Sequence, residues 1–199
     1  MTEPCTHIYM WAIVPPADLD RRIDAVRKEF SERFQCYRAL KPPVHLTLYM
    51  PFKTMDEALN HHINSFKSWL SNQPAFSLCL KNFSFFERAK SPVVFIDVAP
   101  NAVLKKFNTR LSSHIVQLFG LEGGRTDFHP HFTIGYRDVS PEIFPEIKKI
   151  YSRRSFNATF DVNSVCLFRH NGIKWELIQE CPLGARLSEQ RELFGYERE

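Results

Sequence analysis

The chain has 199 residues, 44% of them hydrophobic and 24% charged, with 26 Lys+Arg against 22 Asp+Glu for a net charge of +4. These proportions exclude a disordered or fibrous chain and suit one globular domain large enough to bury a core. The mild basic balance contains no Lys/Arg block, which excludes a nucleic-acid-binding tail but leaves room for a nucleotide or RNA ligand.

His7 to Val14 alternates and is rich in β-branched and aromatic residues, so it predicts a strand that ends at Pro15-Pro16. A helix follows, with Leu19, Ile23, Val26, Phe30 and Phe34 on its apolar stripe. Lys41-Pro42-Pro43 breaks that pattern before a second strand, which carries His45-Leu46-Thr47-Leu48. Thr54 and Glu57 form a capping box opening a second helix, with Leu59, Ile63, Phe66 and Leu70 on one face. A strand over Phe76 to Phe86 completes the first half.

The second half repeats the order. Val93 to Val98 reads as a strand, and Leu104, Phe107, Leu111, Ile115 and Leu118 mark a helix. Gly123-Gly124 is a loop, followed by a strand carrying His131-Phe132-Thr133-Ile134. Ser140-Pro141 places a cap and a helix-opening proline before Ile143, Ile147 and Ile150. A strand near Phe156 to Phe168 and another near Trp175 to Cys181 finish the domain, joined at Asn171-Gly172, a hairpin signal. The two histidines, the caps Thr54 and Ser140, and the opening strands at His7 and Val93 are each separated by 86 residues. That register predicts two related lobes within one domain spanning 1–185, each presenting one His-x-Thr strand to a shared cleft. Residues 186–199 form a polar tail, with Leu187, Leu193 and Phe194 available for docking.

In each motif, alternation puts His and Thr on one face and the apolar residues on the other. Two imidazoles and two hydroxyls suit metal-free acid–base chemistry on a phosphodiester. One histidine takes a proton from the attacking oxygen, the other gives one to the leaving oxygen, and the hydroxyls hold the phosphate. Tyr49 shares the face of His45 and Thr47 and either lines the cleft or packs at its rim. Tyr9, with Trp11 on one face of the first strand, is a further candidate for substrate contact, the alternative being core. His129 and His131 could pair on a metal, but no third ligand stands at a convincing spacing, so no metal or other cofactor is expected. His61 and His62 read as solvated surface, and His7, His114 and His170 as structural. Lys41, Lys53, Arg88 and Arg125 sit in loops near predicted strand ends, where any of them could steer a phosphate.

The segments Pro42-Pro43-Val44-His45-Leu46-Thr47-Leu48 and Phe128-His129-Pro130-His131-Phe132-Thr133-Ile134 resemble the paired motifs of the two-histidine (2H) phosphoesterases, the superfamily of the 2′-5′ RNA ligases and cyclic nucleotide phosphodiesterases. The resemblance covers nearly the whole chain. It implies a bilobal α+β fold with an antiparallel sheet and flanking helices in each lobe. It also implies hydrolysis of 2′,3′-cyclic phosphates of nucleotides or RNA ends to 2′-phosphates, together with 2′-5′ RNA ligase activity, without metal. His45 and His131 are then the catalytic pair and Thr47 and Thr133 the phosphate ligands. The basic residue that follows the second motif in RNA ligase members corresponds to Arg137, placed by alternation on the face of His131. Two alternatives stand beside this. One is hydrolysis of another cyclic phosphodiester, such as a cyclic oligonucleotide or an ADP-ribose cyclic phosphate. The other is nucleotide or RNA binding without turnover.

Five cysteines without CxxC spacing read as free thiols of a reducing compartment. No signal-peptide pattern opens the sequence and no apolar run approaches 18 residues, so a cytoplasmic protein with no membrane association is expected. No obligatory protein partner is evident.

Overall fold

The computed structural model describes residues 6–121 and 127–185. The Gly123-Gly124 loop, Arg125, Cys5 and the polar tail lie outside the described residues. The elements run β1 (Thr6–Ile13), α1 (Ala17–Phe34), a 3-10 turn (Arg38–Leu40), β2 (Leu46–Met55), α2 (Asp56–Ser71), β3 (Phe76–Phe86), β4 (Val93–Val98), α3 (Ala102–Phe119), β5 (His131–Gly135), α4 (Phe144–Tyr151), β6 (Asn157–Val162), β7 (Ser164–His170) and β8 (Trp175–Pro182).

All eight strands join one antiparallel sheet in the order β6-β3-β4-β5-β2-β1-β7-β8. The sheet halves β6-β3-β4-β5 and β2-β1-β7-β8 have four strands each and meet at β5 and β2 through the pair Leu46–Phe132. β3, from the first part of the chain, pairs with β4, and β7, from the second part, pairs with β1, so the two parts exchange β3 and β7.

The segment expected as one strand near Phe156 to Phe168 is two strands broken at Asn163. β6 lies at one edge of the sheet beside β3, whereas β7 lies in the opposite half beside β1. Crossing from the one to the other through a single residue requires the sheet to curl until its ends approach. The curl is pinned where Ala75 N donates to Gly184 O at 3.0 Å and Leu183 N donates to Asn163 O at 2.8 Å. Gly184 is needed there, because a Cβ would sit 2.4 Å from the Ser71 carbonyl oxygen.

The helices share one core on one face of the sheet. Leu19, Ile23 and Phe30 of α1, Phe66 and Leu70 of α2, Leu111 and Ile115 of α3, and Ile147 and Tyr151 of α4 are buried with Trp11, Leu46, Ile96 and Phe132 of the strands. α1 lies against β5 and α3 against β2, so each long helix braces the motif strand of the other half. Met10, Ala12, Cys166 and Phe168 form a separate small cluster on the opposite face.

The helix starts depart from expectation in two places. Thr54 lies in β2, and α2 begins after Met55 with no side-chain cap, so the predicted capping box is absent. Ser140-Pro141 belongs to a turn preceding α4, whose helix-opening proline is Pro145. The first strands also shift register. Ala12 faces Thr47 and Phe95 faces Thr133, so equivalent positions of β1 and β4 are 83 residues apart (12 to 95) rather than 86.

Candidate active site

Both motif strands keep their alternation through the threonines. Leu46, Leu48, Phe132 and Ile134 are buried in the core, and His45, Thr47, His131 and Thr133 are half-buried on the face without helices. The antiparallel pair Leu46–Phe132 joins the strands between them. Extending that register one residue each way sets His45 beside Thr133 and Thr47 beside His131, so imidazoles and hydroxyls alternate around one small patch.

The two rings are held alike. His45 Nδ1 lies 2.7 Å from the Pro43 carbonyl oxygen, and His131 Nδ1 lies 2.7 Å from the His129 carbonyl oxygen. A carbonyl can only accept, so each Nδ1 carries the hydrogen and each neutral ring keeps its lone pair on Nε2. Thr47 Oγ1 has a 3.9 Å contact with Met10 Sδ, too weak to compete with a phosphate oxygen.

The surroundings make the pair unequal. Desolvation pushes the pKa of His45 down to about 4; the positive charges of Arg27 and His131 act the same way, and the bond to Pro43 opposes them. Desolvation also lowers His131, where His129 and Arg88 add to the shift while the bond to the His129 carbonyl and the Asp97 carboxylate oppose it. Asp97 Oδ1 sits 3.0 Å from His129 Nε2. Phe95 and Phe86 pack their rings 4.9 and 5.2 Å from that of His131.

Of these neighbours of His131, sequence reasoning names His129, as a candidate metal partner, and Arg88, as one of several loop cations, and misses Asp97, Phe86 and Phe95. Asp97 carries a signal, a lone carboxylate in the apolar strand Val93–Val98. Arg27 carries one too, a cation on the apolar stripe of α1 between Ile23 and Phe30. Phe86 and Phe95 carry none, because ladder register alone brings them to the site.

Other candidates fall elsewhere. Arg137 does not continue the His131 face. The register shift between Val94 and Phe95 bulges β5 at Ile134, and a Cβ on Gly135 would point into the core at Phe30. Arg137 follows the end of the strand at φ 66°, exposed, with its guanidinium 5.3 Å from the Tyr136 ring. Tyr9 is 1% exposed on the core side of β1, and its hydroxyl donates to Asp56 Oδ1 at 2.5 Å. Tyr49 packs against the core edge, its ring 5.7 Å from Phe52. His7 pairs with Asp56 and His114 stacks on Phe66 and Trp69. Among the described residues no group of three or more His, Cys, Asp or Glu is placed to hold a metal ion.

The fold recurs in solved structures. Escherichia coli LigT in its apo form superposes with a TM-score of 0.64 at 22% identity, over 90% of this chain and 99% of that one. TT0787 of Thermus thermophilus gives a TM-score of 0.64 at 17% identity, over 89% and 98%. A protein of Geobacillus sp. (strain WCH70) described as a candidate phosphoesterase is 30% identical over 119 residues, covering 60% of this chain and 65% of that protein. The model of the 2′-5′ RNA ligase superfamily matches residues 15–174, which include both motifs. The curled antiparallel sheet, the paired His-x-Thr strands and this match together place the chain in the 2′-5′ RNA ligase superfamily, among the two-histidine phosphoesterases.

Proposed function

We propose that the protein hydrolyses 2′,3′-cyclic phosphates of nucleotides or RNA ends to 2′-phosphates, with His45 and His131 as the acid–base pair. The observation that carries this reading is the shared ring geometry, in which each Nδ1 is committed to a carbonyl and each Nε2 is free to exchange a proton. One Nε2 removes a proton from water as its oxygen attacks phosphorus. The other, protonated, donates to O3′ as the P–O3′ bond breaks, leaving phosphate on the 2′ position. Thr47 and Thr133 hydroxyls donate to the non-bridging oxygens, where charge accumulates. Both rings are biased toward the neutral form in the free protein, so the anionic phosphodiester itself favours the proton that one ring must carry.

An RNA 5′-hydroxyl in place of the water makes the same step a ligation, yielding a 2′-5′ linkage. E. coli LigT has been captured with 3′-AMP, with ATP and with NADP+, which supports nucleotides as ligands here. Cys36, Cys79, Cys166 and Cys181 are free thiols, in keeping with a cytoplasmic setting. No helix among the described residues is long and apolar enough to cross a membrane.

The test is product analysis by phosphorus NMR on 2′,3′-cyclic mononucleotides and on an RNA with a cyclic phosphate end, with and without EDTA. The 2′-phosphate should form in both conditions. A 3′-phosphate product, or loss of activity in EDTA restored by a divalent metal, overturns the mechanism. Binding of a 2′-phosphorylated nucleotide without turnover of either substrate would make the protein a nucleotide-binding module instead.

A further inference from the structure

Arg27 is a cation in the core. It lies on the buried side of α1 and is 3% exposed. Its ion pair is long, with Nη1 3.6 Å from Asp24 of the same helix, and its Nε is buried without a partner. A guanidinium is costly to bury unless its donors are used. Here Nη2 donates to the carbonyl of Ala39 and, at 2.7 Å, to that of Pro42.

Those two carbonyls bracket the turn that leads to His45. The N–H groups of Leu40 and Lys41 donate to the Tyr37 and Arg38 carbonyls, but Pro42 and Pro43 have no N–H, so the end of the turn next to His45 has no backbone donor of its own. The next carbonyl, that of Pro43, is the acceptor that orients the His45 ring. A chain of contacts therefore runs from Arg27 through Pro42 and Pro43 to His45 Nδ1. On the other side of the site the corresponding carbonyl belongs to His129, whose ring is tied to Asp97.

We propose that Arg27 is a positioning residue for the reaction, fixing the Ala39–Pro43 turn from the core so that the Pro43 carbonyl holds the His45 ring with Nε2 toward the cleft. This rests on the two-histidine reading of the site. The charge of Arg27 also disfavours protonation of His45, as does that of His131. The charged and titratable groups that act on the guanidinium are Asp24 and Asp20 of α1 and Tyr136 after β5.

Arg27→Met and Arg27→Lys test the assignment, by turnover of a 2′,3′-cyclic mononucleotide, thermal melting, and ring-nitrogen NMR of the histidines. In Arg27→Met, kcat should fall by at least about 10-fold with KM within about 2-fold, as expected when geometry rather than binding is lost. His45 should change from a single Nδ1–H tautomer to a mixture while His131 keeps its own. Arg27→Lys keeps the charge but cannot fork to both carbonyls, and should lie between. Wild-type kcat and His45 tautomer in Arg27→Met, or in Arg27→Lys if the former does not fold, overturns the proposal. Equal tautomer mixing at both histidines also overturns it, since that marks a general loss of structure. The NMR readout needs no substrate. A wild-type protein inert toward every cyclic phosphate would therefore defeat the functional reading and leave the clamp to be judged by the tautomer.

Discussion

An imidazole whose Nδ1 is committed to a carbonyl can trade protons only through Nε2, and both motif histidines are in that state. His45→Ala and His131→Ala should each lower kcat by at least about 10²-fold without loss of fold, and Thr47→Ala and Thr133→Ala should cost less, about 10-fold. Steady-state kinetics with circular dichroism checks both. The pH dependence follows from the shifts. The singly protonated pair dominates between about 4, where His45 titrates, and the lowered value of His131. kcat/KM, which reports the free protein, should therefore peak below pH 6.5 and fall on both sides. A profile flat from about pH 5 to 8 would contradict the pair. Stability has its own signature. His45 is depressed on folding, so the unfolded chain binds more protons between about pH 6.5 and 4, and the folded state weakens as pH falls through that window. Urea unfolding across it should show a shallower slope for His45→Gln. At this scale the candidate residues His45, Thr47, His131 and Thr133 stand out in the sequence, because both motifs repeat in one register. Arg137 is misplaced by alternation, which is blind to a bulge, and Arg27 is hidden because its carbonyl partners lie 12 and 15 residues along the chain.

Among the elements, β3 and β4 run over the predicted residues, because β3 alternates apolar and polar positions over most of its length and β4 is a run of β-branched and aromatic residues broken only by Asp97. Helix starts are less legible, since a side chain that can cap need not do so. Asn101 does cap α3, accepting from Leu104 N at 2.8 Å, while Thr54 caps nothing. Asn101→Ala should thus cost about 1 kcal/mol and Thr54→Ala less than about 0.5 kcal/mol in chemical denaturation. Gly135 is the tightest point beneath the second motif, where a Cβ would meet Phe30 Cε1 at 2.4 Å. Gly135→Ala should cost about 1–3 kcal/mol by overpacking. Because Phe30 and β5 would have to part, it should also lower kcat, which a thermal melt and an activity assay together reveal.

At the scale of the molecule, the two-lobed order is legible in the repeat, but the exchange of β3 and β7 is not. Hydrophobic pattern says which face a strand buries and is silent on which neighbour it pairs with. The same silence hides the break at Asn163, since β6 alternates and β7 is a continuous apolar run, and neither pattern says which strand it will pair with. The exchange also sets a timetable. β1 ends at Ile13, yet one of its two neighbours, β7, begins at Ser164, a long stretch of chain later. At about 5–20 residues per second, a ribosome leaves that edge of β1 unpaired for on the order of 10 seconds. Throughout that interval the nascent chain carries a bare, apolar strand edge of the kind that invites pairing with other chains. The yield of soluble protein should therefore depend on how fast the chain between β1 and β7 is translated, and on what shelters β1 while it waits.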